Sequence, residues 1–586
     1  AVGSTVRQTI WREALLAWRS QAEAEEPVLL LAREDVERGV ERLASQDERL
    51  VAINREQTAA LQKPERVLQR AQWDEVVMLT GPRARKLREV VELGEERGLF
   101  ELKPVWLANP ETVARIFPLR QDLFDLVIFD EASQLPVEHA LPALYRAGRV
   151  VISGDDKQLP PTRFFNTGFA TDSDDDSDGL DVFSEEAIEA QEIRRQVKDC
   201  SNLLELATAA GLAEVSLDIH YRSTYRPLIS HSNAAFYQGK LSVPALHPAD
   251  EICKRRPLEL IAVNGLYEDQ SNRDEAEAIV AFLAELWSSQ PEAPSLGIVS
   301  FNKNQADLIE DLLEERADQD QAFFKSLVLE RARRHNGEDC GFFVKNLENV
   351  QGDERDWILF STTFGRDRQG RFNRVFGALG QQGGERRLNV ATSRARDKVV
   401  IFNSMPIEEI SDLPRSRRPP ETARDFLQSY LIYAAAISDG RLEDAERWLE
   451  RINDRPRHGT SLGVAQGSGR GFVATVAEHL EGLGYAVERA PAQDAFGFDL
   501  AIRDPATGLF ALGIECDAPR HHDLRQARDR EIWRPAVLKR CVPHTHRIWS
   551  RLWLADANSE KSRLQRALQQ ALPTEPLQAE AQPAPP

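Results

Sequence analysis

The chain has 586 residues, 42% of them hydrophobic and 29% charged, with 94 acidic against 74 basic side chains and a formal charge of -20. That length implies several domains, because single cores stop growing near ~250–300 residues, and the acidic balance excludes coating of nucleic acid by bulk attraction while leaving room for a local basic cleft. Five cysteines without a Cys-x-x-Cys pair exclude a disulfide framework or zinc ribbon, and no signal peptide or bilayer-length apolar run is visible, so a cytoplasmic protein with no membrane partner is expected.

Residues 1–100 carry apolar positions at helical spacing through Trp11–Trp18 and Val36–Leu50, which predicts a helical insertion or partner-binding region without chemistry of its own. Residues 101–205 then read as α/β. The run Asp125-Leu126-Val127-Ile128-Phe129 ends abruptly in Asp130-Glu131, as a buried parallel strand does when it delivers acids to the carboxyl edge of a sheet. A core strand followed by a helix cap would read the same way. A second strand, Val150–Ser153, leads into Gly154-Asp155-Asp156-Lys157-Gln158-Leu159-Pro160-Pro161. The acidic run within 171–181 predicts a solvated, disordered loop. Residues 206–405 hold Tyr221-Arg222, a strand over Leu296–Ser300 that opens a helix at Asn302, Gln351-Gly352-Asp353-Glu354, and Asn389-Val390-Ala391-Thr392-Ser393-Arg394-Ala395-Arg396 around the start of a helix. A composition shift marks 406–470 as a linker with a helix.

Taken in order, these stretches resemble motifs II to VI of superfamily 1 helicases, in the branch named for the RNA-surveillance and replication-associated 5′-to-3′ enzymes, over roughly residues 100–405. The resemblance implies two RecA-like, AAA-type motor domains, the first incomplete, that use ATP and Mg²⁺. It places Asp130 on the magnesium, Glu131 on the attacking water, Gln158 near the γ-phosphate, and Arg222 and Arg394 on that phosphate from the second domain. Glu354 would approach the ribose or the interdomain cleft. Asn109, Asn302, Gln351, Gly352 and Thr392 would face a single strand of nucleic acid, DNA in preference to RNA. No Gly-x-x-x-x-Gly-Lys-Ser/Thr stretch occurs, so the phosphate loop is expected from a missing N-terminal segment or a partner chain.

From Phe472 the pattern restarts. A helix to Leu483 precedes Phe498-Asp499-Leu500-Ala501-Ile502, a turn, and Phe510–Asp517, a hairpin with one acid on its first strand and Glu515 and Asp517 on its second. Carboxylates so placed suit metal-dependent phosphodiester cleavage. Residues 471–572 resemble the restriction-endonuclease-like α/β fold, in particular very-short-patch-repair-type nucleases, with Mg²⁺ or Mn²⁺ on Asp499, Glu515 and Asp517. The usual Glu-x-Lys is here Glu515-Cys516-Asp517, which leaves His521 or His522 as a general base and Arg528 and Arg530 as phosphate contacts. Residues 573–586 predict a disordered tail. The whole predicts a helicase or translocase with an endonuclease, in bacterial DNA repair or anti-phage defence. The alternatives are a non-catalytic subunit that completes a partner ATPase, and a standalone nuclease with a vestigial motor.

Overall fold

The computed structural model describes residues 2–60, 73, 76, 85–160, 200–290, 292–380, 383–416, 418–453, 471–489, 494–517 and 524–572. The expected acidic loop at 171–181, the glycine-rich run up to 470, His521, His522 and the tail at 573–586 lie outside them. The chain divides into two compact units, one of residues 1–106 with 523–537 and one of the remainder.

The first unit is helical. Val2–Glu25 and Arg33–Ala60 form two long helices, and Glu34 and Asp35 in the first turn of the latter complement its dipole. Val6, Ile10, Trp11, Leu15 and Trp18 on the former are more than half exposed.

The second unit contains three sheets that matter to function. In the first lobe, β1 (Val127–Phe129) pairs in parallel with β2 (Val150–Ile152), and Phe129 packs with Ala132, Ala140, Ala143 and Leu203. In the second lobe, β3 (Leu258–Ala262), β4 (Leu296–Ser300), β7 (Phe343–Asn346), β8 (Arg355–Ser361) and β9 (Ala395–Asn403) form an all-parallel sheet in the order β3-β9-β8-β4-β7. A two-residue ribbon, β5 (Arg334–His335) with β6 (Glu338–Asp339), lies outside it. The continuous apolar run of β9 fits burial on both faces: Val399 and Ile401 join one core, Val400 and Phe402 the other. Because β7 and β8 flank β4 and both run parallel to it, the Gln351-Gly352 turn belongs to a crossover and not to a hairpin.

Two sequence expectations change. The helix near Arg394 is Gly384–Thr392, so Arg394 and Arg396 follow its end rather than its start. The stretch expected as a linker contains the helices Ala423–Ser438 and Leu442–Ile452, whose Leu427, Tyr430, Tyr433, Leu449 and Ile452 are buried in the second lobe's core.

The third sheet runs β10-β11-β12-β13: β10 (Val487–Arg489), β11 (Leu500–Arg503) and β12 (Phe510–Cys516) are antiparallel, and β13 (His544–Ile548) returns parallel to β12. Helices Phe472–Gly482 and Ala557–Ala571 cover it through Val476, Leu480, Leu564 and Leu568.

Candidate nucleotide cleft and nuclease site

Asp130 and Glu131 follow β1 directly, and Glu131 takes a left-handed backbone (φ 52°) that turns the chain out of the strand. The next strand end lies against this turn, since Ala132 N donates to Ser153 O at 2.9 Å. A Cβ on Gly154 would meet Ser133 N at 3.0 Å and Ala132 N at 3.2 Å, so any larger residue would crowd this backbone approach. Asp155 accepts from Lys157 N at 2.9 Å, from Gln158 Nε2 at 3.0 Å and from Tyr237 Oη at 2.7 Å.

Tyr237 belongs to the second lobe, so its bond to Asp155 crosses the cleft. Asn389 Nδ2 donates both to Tyr237 Oη and to Lys157 O, each at 3.0 Å. Burial, then the Asp155 charge, pushes the Tyr237 phenol well above its ordinary value, so it stays a donor. A second crossing is made by Gln351 Nε2, which donates to Glu131 Oε2 at 3.3 Å from a turn whose Gly352 has φ 84°.

Arg222 and Arg394 meet on the second lobe's side. Arg222 Nε donates to Glu354 Oε2 at 2.6 Å and its Nη1 to Ser393 O at 3.3 Å, while Arg396 reaches Glu354 Oε1 at 3.6 Å. Burial alone would raise the Glu354 carboxyl, but Arg222 and Arg396 outweigh it and hold it below its ordinary value. Arg394 is buried, with Nε donating to Val390 O at 2.7 Å. Burial, then repulsion from Arg222, lowers it to about 10, with Glu131 and Glu354 acting the other way. The same arginines, after burial, help lower His220 to about 3, leaving a neutral ring beside Ser223 Oγ at 2.8 Å. Two guanidiniums thus converge on one carboxylate, an excess of positive charge suited to phosphate.

The residues expected on nucleic acid are scattered. Asn109 and Asn302 cap helices, accepting from Thr112 N and Gln305 N at 2.8 Å each, and Asn302 Nδ2 also donates to Gln270 O. Thr392 is 2% exposed, with its hydroxyl bonded to Ser232 Oγ and Asn389 O, so the direct contact expected of it is corrected to an interior polar role. In the first unit, Arg528 pairs with Asp47 at 2.6 Å, and Arg530 bonds Glu531 and Leu524 O. The segment carrying both arginines groups with the N-terminal helices rather than with the C-terminal sheet.

At the C-terminal sheet the hairpin brings Asp499 beside Glu515. Asp499 N donates to Ile514 O at 3.2 Å, and Asp499 Oδ2 accepts from Cys516 N at 2.7 Å. Arg547, in register with Glu515 on β13, donates to its Oε2 at 2.9 Å. Asp517 (φ 71°) accepts from Ser550 N at 2.8 Å. Adjacent carboxylates of which one already balances a cation suit a hard divalent ion in kind. Among the described residues no group of three His, Cys, Asp or Glu side chains that could hold a metal ion is formed.

Tyr237, His220 and Arg547 are the functional candidates that sequence reading assigned no role. None of the three had a local signal; Arg547, 30 residues beyond Asp517, comes beside Glu515 only through the pairing of β12 with β13.

Residues 199–405 match the AAA_12 family and 113–165 the AAA_11 family, both described as AAA domains, and 472–568 match REase_MTES_1575. The protein named "Uncharacterized ATP-dependent helicase MG140" from Mycoplasma genitalium is 34% identical over 347 residues, covering 59% of this chain and 28% of that protein. Its homolog from Mycoplasma pneumoniae is 28% identical over 472 residues, 80% of this chain and 39% of the relative. The "DNA replication ATP-dependent helicase/nuclease dna2" of Schizosaccharomyces pombe is 25% identical over 309 residues, 48% and 18% of the two. The chain therefore spans well under two thirds of each of these relatives.

Proposed function

We propose, for a chain that carries superfamily 1 type AAA helicase domains followed by a REase domain, that it belongs to an ATP-dependent helicase or translocase on single-stranded nucleic acid, DNA in preference to RNA, and that its REase domain cuts DNA. Repair, or defence against foreign DNA, is the setting we assign. The observation that carries the motor reading is the set of contacts across the cleft, Glu131 with Gln351, Asp155 with Tyr237 and Lys157 O with Asn389, beside the neighbouring Arg222 and Arg394.

In this reading Asp130 would hold the nucleotide's Mg²⁺, which offsets charge on the transferred phosphoryl group. Glu131 orients the attacking water, Gln158 lies beside the γ-phosphate, and Arg222 exchanges Glu354 for phosphate oxygens. Arg394 joins it, so closure of the lobes completes the site. A partner chain or a further segment supplies the phosphate loop. In the last domain Asp499, Glu515 and Asp517, which do not form a three-ligand group as they stand, would have to close on Mg²⁺ or Mn²⁺, which would supply water activation and offset leaving-group charge, while Arg547 would balance Glu515 and His521 would take the proton.

Cleavage of labelled single- and double-stranded DNA with Mg²⁺ or Mn²⁺ tests the nuclease half. Asp499→Ala and Glu515→Ala should each abolish cutting. DNA binding without cutting in the unsubstituted chain would move the assignment to a non-catalytic subunit, a reading that Asp517 in the lysine position favours.

A further inference from the structure

Arg226 stands one turn beyond Arg222, at the N-cap of helix Pro227–Ala235. A cation there opposes the helix dipole, which favours negative charge at that end. The compensating anion comes from 268 residues away: Arg226 Nη1 donates to Asp494 Oδ2 at 2.7 Å, and both side chains are 2% exposed. The remaining valences are also filled. Arg226 Nε donates to Ala245 O at 3.1 Å and Nη2 to Val243 O at 2.7 Å, while Asp494 accepts from the Val243 and Phe496 amides at 3.1 Å each.

We infer that Arg226 and Asp494 form a latch that fixes the C-terminal domain to the second motor lobe and positions its carboxylates. Arg226 and Val243 lie in the stretch matched as AAA_12, Asp494 and Phe496 in that matched as REase_MTES_1575. Two weaker contacts follow the same seam, Cys541 Sγ to Pro244 O and Arg503 Nη1 to Asp250 Oδ1. Past the latch, Phe496 and Phe498 are buried, and Phe498 lies so close to Gly513 that a Cβ there would be 2.5 Å from its ring. Phe498 precedes Asp499, and Gly513 lies two residues before Glu515 on β12. Movement of Asp494 is thereby transmitted to both carboxylates. A buried pair of this kind is a weak source of net stability but a strong register device, because losing either partner leaves a buried charge unpaired. The segment that carries the Arg222 finger and the segment that carries Asp499 thus share one joint.

The effect on cutting rests on the nuclease reading above; the latch does not. The test compares Asp494→Asn, Arg226→Gln and the double variant by amide exchange and DNA cleavage. The single variants should speed exchange at the Val243 and Phe496 amides at least tenfold, with protection in β9 and β12 retained, and lower cutting at least tenfold. The double variant, which removes both buried charges, should cut faster than either single. Unchanged exchange at Val243 in Asp494→Asn, or exchange that rises only together with loss of protection in β12, would overturn the latch. Single effects that simply multiply in the double variant would overturn it as well. A chain that never cuts would remove the nuclease reading, and exchange at the two amides would still decide the latch.

Discussion

The Tyr237 hydroxyl joins a carboxylate of the first lobe to an amide of the second, which no other single atom among the described hydrogen bonds of the cleft does. Tyr237→Phe removes one donor from Asp155 and one acceptor from Asn389, and should lower stability by about 1–3 kcal/mol, read as a lower urea midpoint. An unchanged midpoint would mean that the contact carries no weight. At this scale the sequence was readable where chemistry breaks a local pattern. An apolar run halted by Asp130-Glu131 announces its acids, and the missing lysine at Asp517 is visible by inspection. Pairings across long separations leave no such mark. Asp494 for Arg226, Asp47 for Arg528 and Glu354 for Arg222 have no pattern in the intervening chain. Thr392 was placed on nucleic acid by the resemblance alone, whereas here its hydroxyl bonds Ser232 inside the lobe.

The helix Pro227–Ala235 and its flanks hold three histidines, His231 buried and His220 and His247 half-buried. Burial, foremost, lowers His220 and His231 to about 3 and His247 to about 4, from an ordinary value of 6.5. The folded lobe keeps them neutral while the unfolded chain protonates them near 6.5. Their contribution is therefore whole above that pH and is lost as pH falls below it, by up to about 1.4 kcal/mol per pH unit for each ring. Urea midpoints between pH 7.5 and pH 5 should fall accordingly, and His231→Gln should flatten the slope by one proton. A slope that His231→Gln leaves unchanged would contradict this. β4 was legible as an element because Leu296–Ser300 is a short apolar run, as burial on two faces requires, whereas β9 opens on Arg396-Asp397-Lys398 and its stretch was expected as the start of a helix. Of the two helices between 423 and 452 only one was expected, and as part of a linker, because an Arg/Pro stretch on one side and a Gly/Ser stretch on the other have linker composition; the buried Leu427, Tyr430 and Leu449 between them carry the signal of a packed core element.

For the whole molecule, the structure joins the cleft of Glu131, Asp155 and Arg222 and a carboxylate-bearing hairpin within one compact unit, and the Arg226–Asp494 pair connects them. The order of motifs made both domains legible; the seam between them was not, because its contacts, Arg226 with Asp494, Arg503 with Asp250 and Cys541 with Pro244, join residues far apart in the chain. The cleft account stands or falls on whether Arg222 and Arg394 act on the phosphate. The decisive measurement is ATP hydrolysis stimulated by single-stranded DNA, in a polypeptide that joins a phosphate-loop segment to this chain, comparing the unsubstituted form with Arg222→Ala and Arg394→Ala. The account predicts a loss of about 10³-fold or more for each, with DNA binding retained. Hydrolysis that neither substitution changes would contradict it.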